Sequence, residues 1–326
     1  MAVKKEFHYG GQAVIEGVMM RGPDHFAVAV RRENGEIVTT TESIESSILG
    51  RIKWLDKPFL RGTLALIDAM TLGIKALKYS ADVAMQDAAQ AVTPGSPSGE
   101  TTEAPRGQAA DSGKVNDVAV GAVMVLGLAL GVALFFFVPI LVVKPLTTGM
   151  PGWTRAALEG GVKITLFVLY VLAISLLPDI RRVFQYHGAE HKTINAYEAG
   201  VELTVDGVIE HTKAHVRCGT SFILVVLVTS IVVFMFISWD SVLMRFVYKL
   251  ALLPVVAGIA YEVIRFAGKH KNWALSRLLV LPGLIMQKIT TREPEPEMIE
   301  VAIRSLECVL EKQAVEEQPS GAVSSA

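Results

Sequence analysis

Val118-Ala-Val-Gly-Ala-Val-Met-Val-Leu-Gly-Leu-Ala-Leu-Gly-Val-Ala-Leu-Phe-Phe-Phe-Val-Pro139-Ile-Leu-Val-Val143 decides what kind of fold this chain can adopt. No charged residue lies between Asp117 and Lys144. At ~1.5 Å of rise per residue, such a run exceeds the ~30 Å hydrocarbon core of a bilayer. It is apolar on every side, which suits lipid rather than one wall of a water-soluble core. The run predicts a membrane-spanning helix, with a kink near its end at Pro139.

Three further spans follow from the same criterion. One covers Gly160 to Leu177, with Lys163 near one end, able to snorkel, and Pro178-Asp179 closing the other. A second runs uncharged from Gly219 to an interfacial Trp239. The last covers Leu243 to Ile264, with Lys249 and Glu262 near its ends and Pro254 in its middle. The expectation is an α-helical integral membrane protein with about four transmembrane helices and a small N-terminal α+β cytoplasmic portion. Composition agrees: 51% of residues are hydrophobic, 19% are charged and mean hydropathy is +0.43, too little charge to cover two soluble domains. The net charge of −1 gives no reason to expect a nucleic-acid partner. Cys218 and Cys308 are too few and too far apart for a disulfide framework, which suits a reducing compartment. No apolar run follows the first lysines, so no secretory signal peptide is expected.

Four spans place both termini on one side of the membrane. The N-terminal portion, the segment Arg181 to Arg217 and the segment after Arg265 are rich in Lys and Arg, while the opposite connections are poorer. The positive-inside rule then assigns the termini and the 180–218 segment to the cytoplasm.

Five regions follow. Residues 1–92 hold a β-hairpin and amphipathic helices, and 93–116, rich in Pro, Gly, Ser and Thr, form a flexible linker. Residues 117–265 are the transmembrane bundle with its cytoplasmic segment, 266–312 carry amphipathic helices, and 313–326 a disordered tail. In the first region Glu16 and Arg21 interrupt an apolar stretch and are candidates to pair. Phe26–Arg32 and Glu36–Thr41 read as strands joined by Glu33-Asn34-Gly35-Glu36, Asn-Gly accepting positive φ at both turn positions. A break is expected near Trp54-Leu55 and Lys57-Pro58. After it, Phe59 to Lys78 is helical and apolar with charges every turn or two, as for a helix on the membrane surface or packed on the bundle; a span is the alternative. Trp273 to Ile289 is amphipathic and expected to break at Pro282-Gly283. Pro296 suits the first position of a final helix with an apolar stripe of Ile299, Ala302, Ile303, Leu306 and Leu310.

The chemistry concentrates in Phe184-Gln-Tyr-His187-Gly-Ala-Glu190-His191-Lys-Thr-Ile-Asn-Ala-Tyr-Glu198-Ala-Gly200. On a helix, residues three and four apart share a face, so both imidazoles and the carboxylate can converge. His-x-x-Glu-His is the inverted zinc-protease spacing, in which the histidines hold Zn and the Glu polarises water. The same residues would also suit a polar helix with solvated histidines. Downstream lies His211-Thr-Lys-Ala-His215-Val-Arg217-Cys218, at the mouth of the third span. If the second and third spans pack side by side, His215 and Cys218 return towards His187 and His191, an N/S set suited to Zn. Each has a plainer reading: Cys218 as a buried small hydrophobe, Arg217 as a membrane-edge cation rather than an oxyanion or phosphate binder, Glu198 as ligand, tautomer-holding partner or solvated residue.

Several stretches together are similar to the YqhQ family of bacterial membrane proteins, a family of unknown function described as predicted metal-dependent enzymes. They are Gly10 to Pro23, the Phe59-Leu-Arg-Gly region, Phe184 to Ile194, Arg217-Cys-Gly-Thr-Ser-Phe222 and Thr290-Thr-Arg-Glu-Pro294. The resemblance implies a multi-pass protein of the bacterial cytoplasmic (inner) membrane with a divalent metal, Zn, on His187, His191, His215 and Cys218. Val216 departs from the family pattern, which more usually has Pro there.

Two functional expectations result. The first is a metal-dependent hydrolase facing the cytoplasm, with Glu190 as general base. The second is a non-enzymatic scaffold in the bilayer with a structural metal, recruiting a cytoplasmic partner. A transporter is the weakest reading, because Lys249 and Glu262 sit near the ends of their span.

Overall fold

Alternation along four short strands builds the first layer. In the computed structural model, which describes residues 9–44, 60–91, 117–236, 241–270 and 273–317, β1 (Gly10–Val14), β2 (Gly17–Arg21), β3 (His25–Arg31) and β4 (Ile37–Ser43) form an antiparallel meander in the order β1-β2-β3-β4. Val18, Met20, Ala27 and Ala29 point to one face; Met19, Phe26, Val28 and Val30 point to the other. Both faces are buried, so each needs a helical cover. The first is covered by α10 (Pro296–Glu317) through Met298, Ile299, Ala302 and Leu306, and by Tyr186 and Ala189 of α5 (Pro178–Glu198). The second is covered by Leu72, Ala76 and Val83 of α1 (Leu60–Ala91). The two ends of the chain therefore share one core.

The β3–β4 turn differs in detail from its expected form. Gly35 alone takes positive φ (89°), and Asn34 instead accepts the Glu36 N–H on its Oδ1. Glu16 and Arg21 do not pair. Glu16, at φ 49° in the two-residue β1–β2 turn, accepts both Arg182 Nε and Nη2 at 2.6 Å, and Arg21 reaches Asp68 of α1 at 3.0 Å. The strand places Arg21 four pairs up the ladder from the turn, out of reach of Glu16.

The apolar layer is helical. α2 (Asp117–Val132) runs through a π-turn, Ala133–Phe137, into α3 (Val138–Val143). Val138 N–H donates to Ala133 O in this wide turn, and Pro139 follows in the first turn of α3, where its missing N–H costs little. α4 (Gly152–Ile174) begins eight residues before the expected Gly160, and α8 (Val242–Lys269) carries Pro254 inside it. Three stretches, Val125–Thr147, Gly152–Ile174 and Leu243–Lys269, are long and apolar enough to cross a membrane. α7 (Gly219–Met235) is apolar but 17 residues long, about 25 Å. Trp239, the 93–116 linker and the break around Lys57-Pro58 lie outside the described residues.

α1 is not among the stretches of spanning character. Its first turns lean on α8: Arg61 grips Glu262 at 2.7 Å through two nitrogens, and Thr63 Oγ1 donates to Pro254 O at 2.9 Å. Its outward stripe of Ile67, Met70, Ile74 and Leu77 is exposed. α9 (Ala274–Thr290) is continuous through Pro282-Gly283, against expectation. Gly283 is used there for close packing, since a Cβ would lie 2.5 Å from Ser221 of α7. α10 starts at Pro296 as expected but continues to Glu317, five residues into the segment expected to be disordered. Tyr9 Oη donates to Gln313 Oε1 at 2.6 Å there.

Candidate metal centre

α5 carries His187, Glu190 and His191 and ends where Gly200 takes φ 72°. Gly200 N–H donates to Tyr197 O and Val201 N–H to Ala196 O, the paired bonds of a Schellman stop. The chain then returns through α6 (Val205–Ile209) to Cys218, the N-cap residue of α7. The return is held to α5 by side chains of α5 itself. Lys192 Nζ donates to Ile209 O at 2.6 Å and Asn195 Nδ2 to Thr212 O at 2.6 Å.

This path brings His187, His191 and Cys218 together, with one ligand atom from each within 4.8 Å of the others. His187 Nε2 lies 3.2 Å from Cys218 Sγ. Bonds of ~2.0 Å to nitrogen and ~2.3 Å to sulfur would set tetrahedral ligands roughly 3.5 Å apart, so the spacing fits a shared ion. His187 Nδ1 lies 2.8 Å from Thr290 O, and His191 Nδ1 lies 2.7 Å from Lys213 O. A carbonyl can only accept, so each Nδ1 carries the proton and each Nε2 keeps its lone pair for a metal. Cys218 adds sulfur at a helix N-terminus, a favourable place for negative charge.

The other two predicted site residues stand differently. The His215 ring centre is 5.6 Å from that of His191, and His215 is outside the three-residue cluster. Its Nε2 lies 3.5 Å from Arg217 Nη2, which also bonds Glu198. Glu198 is therefore Arg217's partner, and burial pushes the Arg217 pKa down from its ordinary value. Glu190 is not one of the three clustered residues; its side chain packs against β1, where a Cβ on Gly11 would lie 3.0 Å from it. It is 4% exposed and its Oε2 is buried without a hydrogen-bond partner. Burial raises its pKa to about 7, opposed by the nearby His187 and by a hydrogen bond from the Gly11 backbone.

Several supporting residues escape a reading based on side-chain chemistry. The strap Thr290–Glu295 crosses α5 at Gly188, where a Cβ would stand 2.0 Å from Arg292 O. Arg292 N–H donates to Phe184 O at 2.8 Å, and Thr290 O faces His187. Gln287, 1% exposed, clamps the backbone of His215: its Oε1 accepts from His215 N–H at 2.9 Å and its Nε2 donates to His215 O at 2.7 Å. Thr290-Thr-Arg-Glu-Pro294, one of the stretches similar to the family, is the sequence signal that marks this strap.

Helices of spanning length, a buried four-stranded sheet and a His–His–Cys cluster at the end of the bundle define a membrane protein with a candidate metal centre. The chain matches, over residues 57–312, the family described as "Protein of unknown function (DUF1385)". It is 35% identical over 316 residues to "Uncharacterized protein YqhQ" of Bacillus subtilis (strain 168), covering 95% of this chain and 94% of that relative. The chain belongs to this family. No solved structure matches it.

Proposed function

We propose that the chain is a metal-dependent enzyme of the bacterial inner membrane, a hydrolase whose divalent ion, Zn, is held by His187, His191 and Cys218 on the cytoplasmic side. The observation that carries this reading is the cluster itself: one ligand atom from each of His187, His191 and Cys218 lies within 4.8 Å of the others, and a backbone carbonyl faces Nδ1 of each histidine, which leaves each Nε2 available to a metal. Three protein ligands with a fourth position open is the pattern of catalytic rather than structural zinc. When bound, such an ion supplies Lewis acidity and activates water near neutral pH. Thr290 O and Lys213 O keep the histidines in register. Glu190, buried beside them with one unpartnered oxygen and a pKa of about 7, is the group suited to take up and release a proton. The cytoplasmic assignment rests on the basic segments flanking the spans. The exposed stripe of α1 is the face that meets lipid.

The second reading rests on His215. Its ring is close enough to His191 that a modest rotation would supply a fourth ligand. The site would then be closed, and the metal would staple the 211–218 return to α5 in a scaffold that recruits a cytoplasmic partner.

Metal content of the full chain, purified without chelators, separates the readings. One Zn per chain is expected, lost in His187→Ala, His191→Ala and Cys218→Ala and kept in His215→Ala. Loss of the ion in His215→Ala as well selects the closed site. An intact protein that carries no metal ends both.

A further inference from the structure

A second polar cluster lies at the other end of the apolar bundle. Cys218, beside the candidate metal centre, caps α7, and Ile231 lies thirteen residues further on, about 20 Å along the helix axis. Ile231 there lines a cavity of about 180 Å³ with residues from the first turns of α4 and α8. Glu159 sits in its wall, 6% exposed. Its Oε1 accepts from Arg245 Nη1 at 3.1 Å and its Oε2 from Lys249 Nζ at 2.9 Å. Arg155 and Lys163, one turn before and after Glu159 on α4, line the same cavity. Arg155 is oriented by neutral groups: its Nε donates to Thr147 Oγ1 at 3.2 Å and its Nη2 reaches Thr147 O at 3.5 Å.

Four cations thus face one carboxylate, because among the described residues Glu159 is the only acid lining the cavity. The remaining wall is largely apolar. Lys249 Nζ lies 5.5 Å from the ring centres of both Phe136 and Phe234. Surplus charge between helices in an apolar layer is costly unless a counter-charge joins it. Basic pockets between spanning helices are known to take anionic headgroups, and the forked donors of two arginines suit phosphate oxygens. Among the described residues Glu159 is the only acid in the wall, and both of its oxygens are engaged by Arg245 and Lys249, so the charges of Arg155 and Lys163 meet no further carboxylate there and suit an anionic ligand.

We propose that this cavity binds a phosphate-class anion, presented either by an anionic phospholipid headgroup or by free phosphate. Arg155 and Lys163 are the principal contacts, and Arg245 and Lys249 are held by Glu159 at the back. The site is independent of the metal centre.

The test uses the full chain in mild detergent. It is exchanged into phosphatidylcholine vesicles with or without phosphatidylglycerol, then re-extracted for native mass spectrometry of retained lipid. Inorganic phosphate binding to delipidated protein is measured in parallel. Retention of phosphatidylglycerol over phosphatidylcholine, weakened about tenfold or more in Arg155→Met with Lys163→Met, supports the headgroup source. Saturable phosphate binding lost in the same variant, without lipid preference, supports the soluble source. Lys163→Arg, which keeps the charge, should retain either ligand and guards against a folding artefact, as does an unchanged circular dichroism melt of the methionine variant. If the wild type prefers neither anion, or the folded methionine variant binds as well as the wild type, the proposal is overturned.

Discussion

Gly188→Ala is the sharpest perturbation of the metal centre that leaves every proposed ligand in place. In the interior of α5 the change should help, because alanine favours helix over glycine by about 1 kcal/mol. The strap reverses the sign. A Cβ at position 188 would stand 2.0 Å from Arg292 O, a backbone atom, so the strap must retreat by about 1 Å. Such overpacking costs about 1–3 kcal/mol. Retreat also weakens the Arg292 N–H bond to Phe184 O and the Thr290 O contact with His187 Nδ1, each ~0.5–1.5 kcal/mol. The balance is a loss of about 1–5 kcal/mol, the helix gain included. Gly161→Ala is the internal control, because Gly161 is also helical and a Cβ there meets nothing within 4 Å. Thermal unfolding of both variants in one detergent is the assay. Gly188→Ala should melt below the wild type and Gly161→Ala should not; on the proposed metal function, Gly188→Ala should also bind added zinc less tightly, because His187 loses its carbonyl. If Gly188→Ala melts with or above the wild type, the strap does not press on α5 as described.

Three further outcomes can be measured. Gln287→Leu leaves the His215 N–H and C=O and the Ser221 hydroxyl without this partner in a buried site, so a loss of about 2–5 kcal/mol is expected in the same melts. Glu16→Ala removes the exposed pair with Arg182 and the acceptor of the buried Tyr186 hydroxyl, a cost of about 1–3 kcal/mol, whereas Glu16→Gly also relieves the positive φ and should lose less; the two melts should fall in that order. Glu293, whose carboxyl is held below its ordinary pKa first by the hydrogen bond from Lys192 and also by one from Lys213, gives a pH signature. A lowered folded-state pKa contributes stability that is present above the ordinary carboxylate range and lost as pH falls through the lowered value. Acid destabilisation should therefore be shallower in Glu293→Gln than in wild type; identical slopes would mean the pairs with Lys192 and Lys213 are not maintained in solution. The side chain is 62% exposed, so solvent screening keeps the effect small.

What could be read from the sequence follows from the range of each interaction. Helical spacing put His187 and His191 on one face, and the short return to the mouth of α7 put Cys218 beside them, because few residues separate those segments. The apolar runs were legible for the same reason: a stretch that must face lipid announces itself residue by residue. The parts that hold the histidines were not. Thr290 and Lys213 act through backbone carbonyls, which every residue has, and Gln287 reaches His215 from 72 residues away. The Glu16–Arg21 pairing failed because nearness along the chain was used where a strand directs Arg21 to α1 and the turn directs Glu16 to α5. The break expected at Pro282-Gly283 does not occur, because α9 runs on with Gly283 packed against Ser221 of α7, and the kink expected at Pro139 is preceded by a π-turn that the sequence does not announce.

The architecture also explains why the ends of so long a chain meet at the motif helix. α5 is not apolar enough to sit in lipid, yet Tyr186, Ala189, Ile194 and Ala196 are buried and need a wall. β1 and β2 with α10 supply that wall on one side, and the strap supplies it on another. The same packing that hides these residues strips Glu190 of water and leaves its Oε2 unpartnered. A buried carboxyl with one oxygen left unpartnered lowers stability, and an apolar residue at that position would pack more cheaply. Its presence beside two histidines whose Nδ1 atoms face backbone carbonyls is what favours the proposed chemistry over a stapled scaffold. A staple needs the histidines and the sulfur, but it has no use for a carboxyl held near neutrality against the backbone of Gly11.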